Sequence, residues 1–361
     1  MEILTLHLVN YRNFPTRKIE FQKKVTVIIG PNGSGKSNIL EAVSLLSGIR
    51  SRRVETDLDF IRFSQSEAKI EARVDGDEPR NLTINFQVID PSINSGQAYI
   101  KKAYFIDSIK KRLVDFIPYL SIIIFEPPDL DLVTGSPSLR RHHLDSQLSA
   151  IDRDYWRSLS AYNKILVRRN KILVRIAEGK SRTGELDFWD ERLVAHGKYI
   201  SQKREEFFEF LNFIEPTFAG VSAGKLSGWV DLSWEIKQSL LAYDKLLKNR
   251  ERDMAAGMTL SGPHRDDFRF LFAGRDLAFF GSRGEQRMAV LALKLCELEY
   301  YQKVRGERPV LALDDIFSEL DLRHREAILS VVDKQQTIIT AAEATGVPKK
   351  IFSKAKVVEL K

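Results

Sequence analysis

The chain has 361 residues and a formal net charge of +7, from 56 Lys and Arg against 49 Asp and Glu. That length holds two or three domains, and the basic balance favours a polyanionic partner. The single cysteine, Cys296, excludes an intrachain disulfide. No apolar run reaches the roughly 18 residues of a membrane span, and Met1-Glu2-Ile3-Leu4 lacks a signal-peptide layout.

Ile3, Leu6 and Leu8 alternate as a first strand, and Val25–Ile29 reads as a buried one. Strands follow at Ala68–Val74 and Leu82–Val88, split by the turn-forming Asp75-Gly76-Asp77-Glu78-Pro79. Residues 101–117 are predicted helical. Ile122–Phe125 is a buried strand stopped by Pro127-Pro128. From 141 to 214 the period turns helical, with Ile151, Tyr155, Leu159, Tyr162 and Leu166 in one stripe and Leu186, Trp189, Leu193 and Ile200 opening a second helix after a Gly179–Gly184 turn. Strands resume at Val230–Ile236, Phe268–Phe272, Leu311–Leu313 and Thr337–Ile339. No internal repeat is present.

The most specific stretch is Gly30-Pro31-Asn32-Gly33-Ser34-Gly35-Lys36-Ser37, a complete P-loop between an apolar strand and an apolar helix. In that setting the backbone N–H groups from Asn32 to Asn38 meet phosphate oxygens at a helix start. Lys36 would reach the β- and γ-phosphates and Ser37 would hold Mg²⁺, so the chain is expected to bind a nucleoside triphosphate. Val310-Leu311-Ala312-Leu313-Asp314-Asp315 is an apolar strand ending in two acids, a Walker B pattern. Asp314 would accept the Mg²⁺ shell, and Asp315 would orient or deprotonate the attacking water.

About 280 residues separate Lys36 from Asp314. The simplest reading is a nucleotide head built from both chain ends, 1–140 and 221–361, with a helical insertion at 141–220. Ser282-Arg283-Gly284 opens another apolar helix and is a second anion-binding end. Since the P-loop already cradles the phosphates, Ser282 and Gly284 are expected to face the nucleotide of another copy, as in the ATP-sandwich dimers of ABC-type ATPases.

Over essentially its full length the chain resembles the RecF family of bacterial DNA-repair proteins, within the ABC/SMC-like ATPases. The resemblance rests on Leu8-X-Asn10-Tyr11-Arg12-Asn13-Phe14, on the extended Walker A through Asn38 and Leu40-Glu41-Ala42, and on Phe125–Pro137 with Arg140-Arg141 and Leu144-Asp145. It rests further on Gly262-Pro263-His264-Arg265-Asp266-Asp267 and on Asp314–Asp321. It implies an α/β fold, an ABC-type P-loop ATPase head with mixed and parallel sheets and an inserted helical arm. It also implies ATP and Mg²⁺ as cofactors, Lys36 and Asp315 in slow, DNA-stimulated hydrolysis, and Arg12 and Asn13 near the adenine or ribose. The partners it implies are double-stranded and gapped DNA, a second copy bound in the presence of ATP, and RecO and RecR, in a cytoplasmic protein with no membrane contact. Two departures stand out: Glu285 follows Gly284 where the family carries Gln, and Thr340-Ala341-Ala342-Glu343 stands where many relatives have a Thr-rich switch segment and where ABC transporters place a His that this chain lacks.

Arg168, Arg169, Lys171 and Arg175 cluster on one helix, either as a solvated face or as DNA phosphate contacts. Arg50, Arg52 and Arg53 are placed to touch nucleotide, DNA or nearby acids, with no choice among these. His264 and Arg265 read as a turn that pins the signature region or as a DNA-facing rim. The alternatives are an ABC transporter ATPase subunit, disfavoured by the long Lys36–Asp314 gap, and an SMC-like DNA-end-processing ATPase, disfavoured by the missing long coiled coil.

Overall fold

The computed structural model describes residues 2–49, 51, 53–76, 78–89, 99–214, 231–318 and 322–361. Two compact units divide them. The described residues of Met1–Asp129 and Leu291–Lys361 form the first, and those of Leu130–Phe218 and Ser227–Val290 the second.

The strands of the first unit start with β1 (Glu2–Tyr11), β2 (Phe14–Glu20) and β3 (Val25–Ile29). They continue with β4 (Glu67–Asp75), β5 (Arg80–Ile89), β6 (Tyr99–Ile106), β7 (Ile109–Lys111) and β8 (Ile122–Phe125). Those of the second are β9 (Leu232–Lys237), β10 (Asp267–Phe272) and β11 (Arg275–Asp276), and the chain returns to the first with β12 (Val310–Asp314), β13 (Thr337–Ala341) and β14 (Lys356–Glu359). In the first unit a six-stranded sheet runs β2-β1-β4-β5-β6-β7, with every pair antiparallel. Beside it a five-stranded sheet runs β14-β3-β13-β12-β8, with every pair parallel.

The two sheets differ in sequence pattern because they differ in cover. β12 and β13 are buried at all five positions, so they read as unbroken apolar runs. β4 alternates instead, with Ala68, Ile70, Ala72 and Val74 buried. The helix Lys36–Leu46 packs against strands of both sheets. Its Ile39, Leu40, Val43 and Leu46 are all at most 2% exposed, each worth about 1.5–3 kcal/mol of burial. Buried Gln336 ties the sheets together: its amide nitrogen donates to the carbonyls of Ile3 and Gln22, and its oxygen accepts from the Ile3 N–H at 2.8 Å. The first unit is therefore built from both ends of the chain.

Residues 101–117 are not a helix. They form most of β6, all of β7 and only one short helical turn, Leu113–Phe116. Ile100, Lys102, Tyr104 and Ile106 take the inward positions opposite Val88, Phe86, Ile84 and Leu82. A lysine in that row hides the alternation. Its ammonium lies 5.1 Å from the Phe86 ring centroid and 5.5 Å from that of Phe60, so cation–π attraction holds it in an otherwise apolar row. Asp107 and Ser108, both with positive φ, close the hairpin, as a two-residue turn with the strand twist requires.

The second unit carries the helices Pro137–Ile151, Arg153–Ala177 and Asp187–Ile214 and the antiparallel sheet β11-β10-β9. Asp152 separates the first two helices and caps the second, accepting from the Asp154 and Tyr155 N–H groups. Arg140 binds both carboxylate oxygens of Asp267, at 2.7 and 2.9 Å, so residues before 141 belong with β10. The compact unit thus begins earlier than the 141–220 segment and also takes in residues up to Val290.

Candidate nucleotide site

The five parallel strands all end on the same edge of their sheet, the position where open α/β sheets bind ligands. β3 runs into the P-loop there, and β12 delivers Asp314. Gly33 and Gly35 hold φ of 85° and 98°. At Gly35 a Cβ would lie 2.5 Å from Phe14 and 2.7 Å from the Asn13 side chain, so the turn demands glycine.

Lys36 is 7% exposed and curls back over the loop, donating to the carbonyls of Gly30 at 2.6 Å and Pro31 at 3.0 Å. Ser37 Oγ donates to Asp314 Oδ1 at 3.1 Å, closing a 277-residue separation. Between β3 and β12 lies β13, whose Thr340 is paired with Asp314. Thr340 Oγ1 donates to Asp314 Oδ1 at 2.7 Å and accepts the Asp315 N–H at 3.0 Å. Asp315 itself takes a left-handed φ of 52°, a conformation that costs energy outside glycine. The second oxygen of Asp314 accepts from Arg53 at 2.8 Å, and Arg53 also reaches Glu126 at 3.1 Å.

These groups line a cleft of about 370 Å³, walled by P-loop residues, Arg53, Pro127-Pro128, Asp314 and Asp315. A hydroxyl and a carboxylate within hydrogen-bond reach are the hard oxygen donors that Mg²⁺ prefers. The buried Ser34 Oγ has no protein hydrogen-bond partner, and a Cβ at Gly33 would meet nothing within 4 Å. The residues therefore fit a triphosphate with Mg²⁺.

The turn after β1 braces the loop. Asn13 donates to the Ser34 carbonyl at 3.2 Å and accepts from Asn38 at 2.9 Å. Arg12 holds both oxygens of Glu41, at 2.6 and 2.8 Å, and Tyr11 and Ser51 donate to the same carboxylate. Burial pushes Glu41 upward, but hydrogen bonds from Arg12, Ser51 and Tyr11 outweigh it and hold the carboxyl below its usual range. Arg12 also lines an adjoining cavity of about 720 Å³ with Arg53 and Phe63.

Ser282 and Gly284 lie exposed in the second unit, at the start of the helix Arg283–Arg305. Glu285 turns onto its own helix end, accepting from the Ser282 N–H and Oγ, both at 2.7 Å. Those bonds hold its carboxyl below the ordinary range, and the Glu285 N–H returns a bond to Ser282 Oγ. This is a capping box. The departure at Glu285 therefore has a local use.

The model described as RecF/RecN/SMC N terminal domain matches residues 2–357. The DNA replication and repair protein RecF of Moorella thermoacetica is 35% identical over 363 residues, covering all of this chain and 95% of that protein. The chain belongs to the RecF family. RecF of Bacillus cytotoxicus is 34% identical over 375 residues, covering all of this chain and 97% of that protein. A solved structure of the recombination mediator protein RecF with ATP superposes with a TM-score of 0.84 at 30% identity, covering 96% of this chain and 93% of that one. An SMC head domain with TM-score 0.51 and 15% identity shares the fold alone. The fold is thus the expected ABC/SMC-type ATPase fold.

Of the four basic residues placed together on the helix Arg153–Ala177, Arg169 is not a DNA contact. It is 0% exposed and binds Asp190 at 2.6 Å, Asp253 at 2.8 Å and Thr259 at 2.8 Å. Its spacing from Tyr162, Ile165 and Leu173 puts it on the buried stripe. Arg168, Lys171 and Arg175 are exposed, and Arg168 stacks over Trp189 at 5.3 Å. His264 is pinned by Tyr162 at 2.7 Å and by the Thr259 carbonyl at 3.0 Å, which favours a structural turn. Arg50, Arg52 and the D-loop residues Glu319, Leu320 and Asp321 lie outside the described residues.

Sequence reasoning missed what Thr340 and Glu126 contact, because those contacts depend on strand order, which carries no local signal. For Arg53 it left nucleotide, DNA and nearby acids open, and the structure gives it the acids Asp314 and Glu126. No helix among the described residues is long and apolar enough to cross a membrane.

Proposed function

We propose that this chain is an ATP-binding protein of DNA replication and repair, in which ATP drives two copies together on DNA. The observation that carries this is the convergence of Ser37 and Asp314 beneath a complete P-loop, in a chain matched end to end by proteins named for DNA replication and repair.

In this reading Lys36 leaves the loop carbonyls for the β- and γ-phosphate oxygens, and the N–H groups from Asn32 to Asn38 hold the rest of the triphosphate. Ser37 and Asp314 hold Mg²⁺, which when bound neutralises phosphate charge. Arg12 and Asn13 stand on the nucleoside side. Ser282 and Gly284 of a second copy cover the γ-phosphate, and Asp315 takes the proton of the attacking water. Hydrolysis is slow, because no histidine stands in the segment Thr340–Glu343, and DNA-stimulated, as the family resemblance implies, so ATP acts mainly as a clamp. The helices between 141 and 214 form the arm, and Arg168, Lys171 and Arg175 contact DNA phosphates without reading bases. The chain works in the cytoplasm with RecO and RecR at single-strand gaps, in recombination and the SOS response.

The test is Asp315→Asn. ATP binding should persist while hydrolysis falls on the order of 100-fold, and residence on gapped duplex with ATP should lengthen in a surface-binding measurement. A faster off-rate with ATP than the wild type would overturn the clamp.

A further inference from the structure

Arg53 stands on a short segment after the P-loop helix, anchored where its N–H donates to Ser51 Oγ at 3.0 Å, itself bound to Glu41. Its guanidinium bridges Asp314 and Glu126. Asp314 has a side chain only 6% exposed, and its other oxygen takes two neutral hydroxyls, Ser37 and Thr340. A nearly buried carboxylate with hydroxyl partners alone is costly, and Arg53 brings a full positive charge to its second oxygen. The oxygen that Arg53 holds belongs to the same carboxylate that the triphosphate reading gives to Mg²⁺. A divalent ion beside Ser37 on one oxygen and a guanidinium on the other put two cations on a single nearly buried carboxylate, where they repel strongly. Arg53 also lines both neighbouring cavities, so it has somewhere to go.

We propose that Arg53 is a resident counter-cation on Asp314 that a divalent metal must displace, so that metal entry and release of Arg53 are one event. This rests on the reading of the cleft as a site for ATP and Mg²⁺. The freed guanidinium keeps Glu126 as its acid or turns to a phosphate oxygen. Metal affinity is then set partly by a residue that ligates no metal.

The experiment compares wild type, Arg53→Gln and Arg53→Lys in two measurements. The first titrates Mg²⁺ against binding of a fluorescent ATP analogue. Arg53→Gln should lower the half-saturating Mg²⁺ by roughly three- to tenfold, since the side chain is part-exposed and its pairing is screened; Arg53→Lys should fall between. The second follows thermal melting with Mg²⁺ alone. Arg53→Gln should melt lower than wild type without metal and recover more of the difference as Mg²⁺ is added. An unchanged Mg²⁺ midpoint with equal response to metal in melting would overturn the proposal. So would nucleotide binding weakened equally with Mg²⁺ and with EDTA, which would make Arg53 a phosphate ligand only. The melting measurement needs no nucleotide, so a wild type that bound no ATP would sink the parent reading while this proposal was still decided.

Discussion

Replacing Lys36 with alanine should weaken ATP binding at least ~100-fold, or about 2.7 kcal/mol. The side chain is nearly buried and its ammonium is already held over the loop by the Gly30 and Pro31 carbonyls. A triphosphate oxygen offers a charged acceptor in place of two neutral ones, and such bonds are the strong kind. The fold should survive, because alanine is a good residue in the first turn of a helix and the loop carbonyls can take water. Calorimetric titration with ATP checks this, with melting as the control. A dissociation constant within a few-fold of wild type would remove Lys36 from the site.

Arg204→Met should be strongly destabilising to the second unit. Arg204 is 1% exposed. It donates to Asp266 and the Pro263 carbonyl at 2.7 Å, to Asp145 at 2.7 Å and to Tyr155 at 3.1 Å. Methionine fills much of the volume but leaves Asp266 charged in a buried place, a loss of about 3–5 kcal/mol and on the order of 10 °C in melting. The loss should depend on pH. Burial already pushes the Asp266 carboxyl up, against the pull of Arg204, and removing Arg204 raises it further. An acid whose folded pKa lies above its unfolded one destabilises once it ionises, and this penalty fades as pH falls through the folded pKa. The gap between variant and wild type should therefore be widest near neutrality and narrow as the pH falls into the acid range. A gap that widened in acid would show that Asp266 is not the group left exposed to the penalty.

The P-loop and Walker B were legible because each is local: a strand, a fixed run of residues, a helix. Buried strands such as β3, β12 and β13 announced themselves as apolar runs. β6 did not, because Lys102 occupies an inward row through aromatic contacts. Arg169 was misplaced for the opposite reason. Its neighbours Arg168 and Lys171 are exposed and suggest a basic face, while Asp190 and Asp253, the acids that draw it inward, lie 21 and 84 residues away. The blocks around Arg140 and Asp266-Asp267 carried a family resemblance before they carried a reason. The reason is a set of ion pairs, Arg140 with Asp267 and Arg204 with Asp145 and Asp266, of which Arg204–Asp266 is fully buried.

Sedimentation velocity of the purified chain with and without ATP and Mg²⁺, run beside Ser282→Arg, tests the ATP-driven pairing most directly. Wild type should shift from one chain to two only when ATP is present, and Ser282→Arg should bind ATP yet stay single. A wild type that binds ATP and still sediments as one chain, with gapped DNA as well as without, would contradict it.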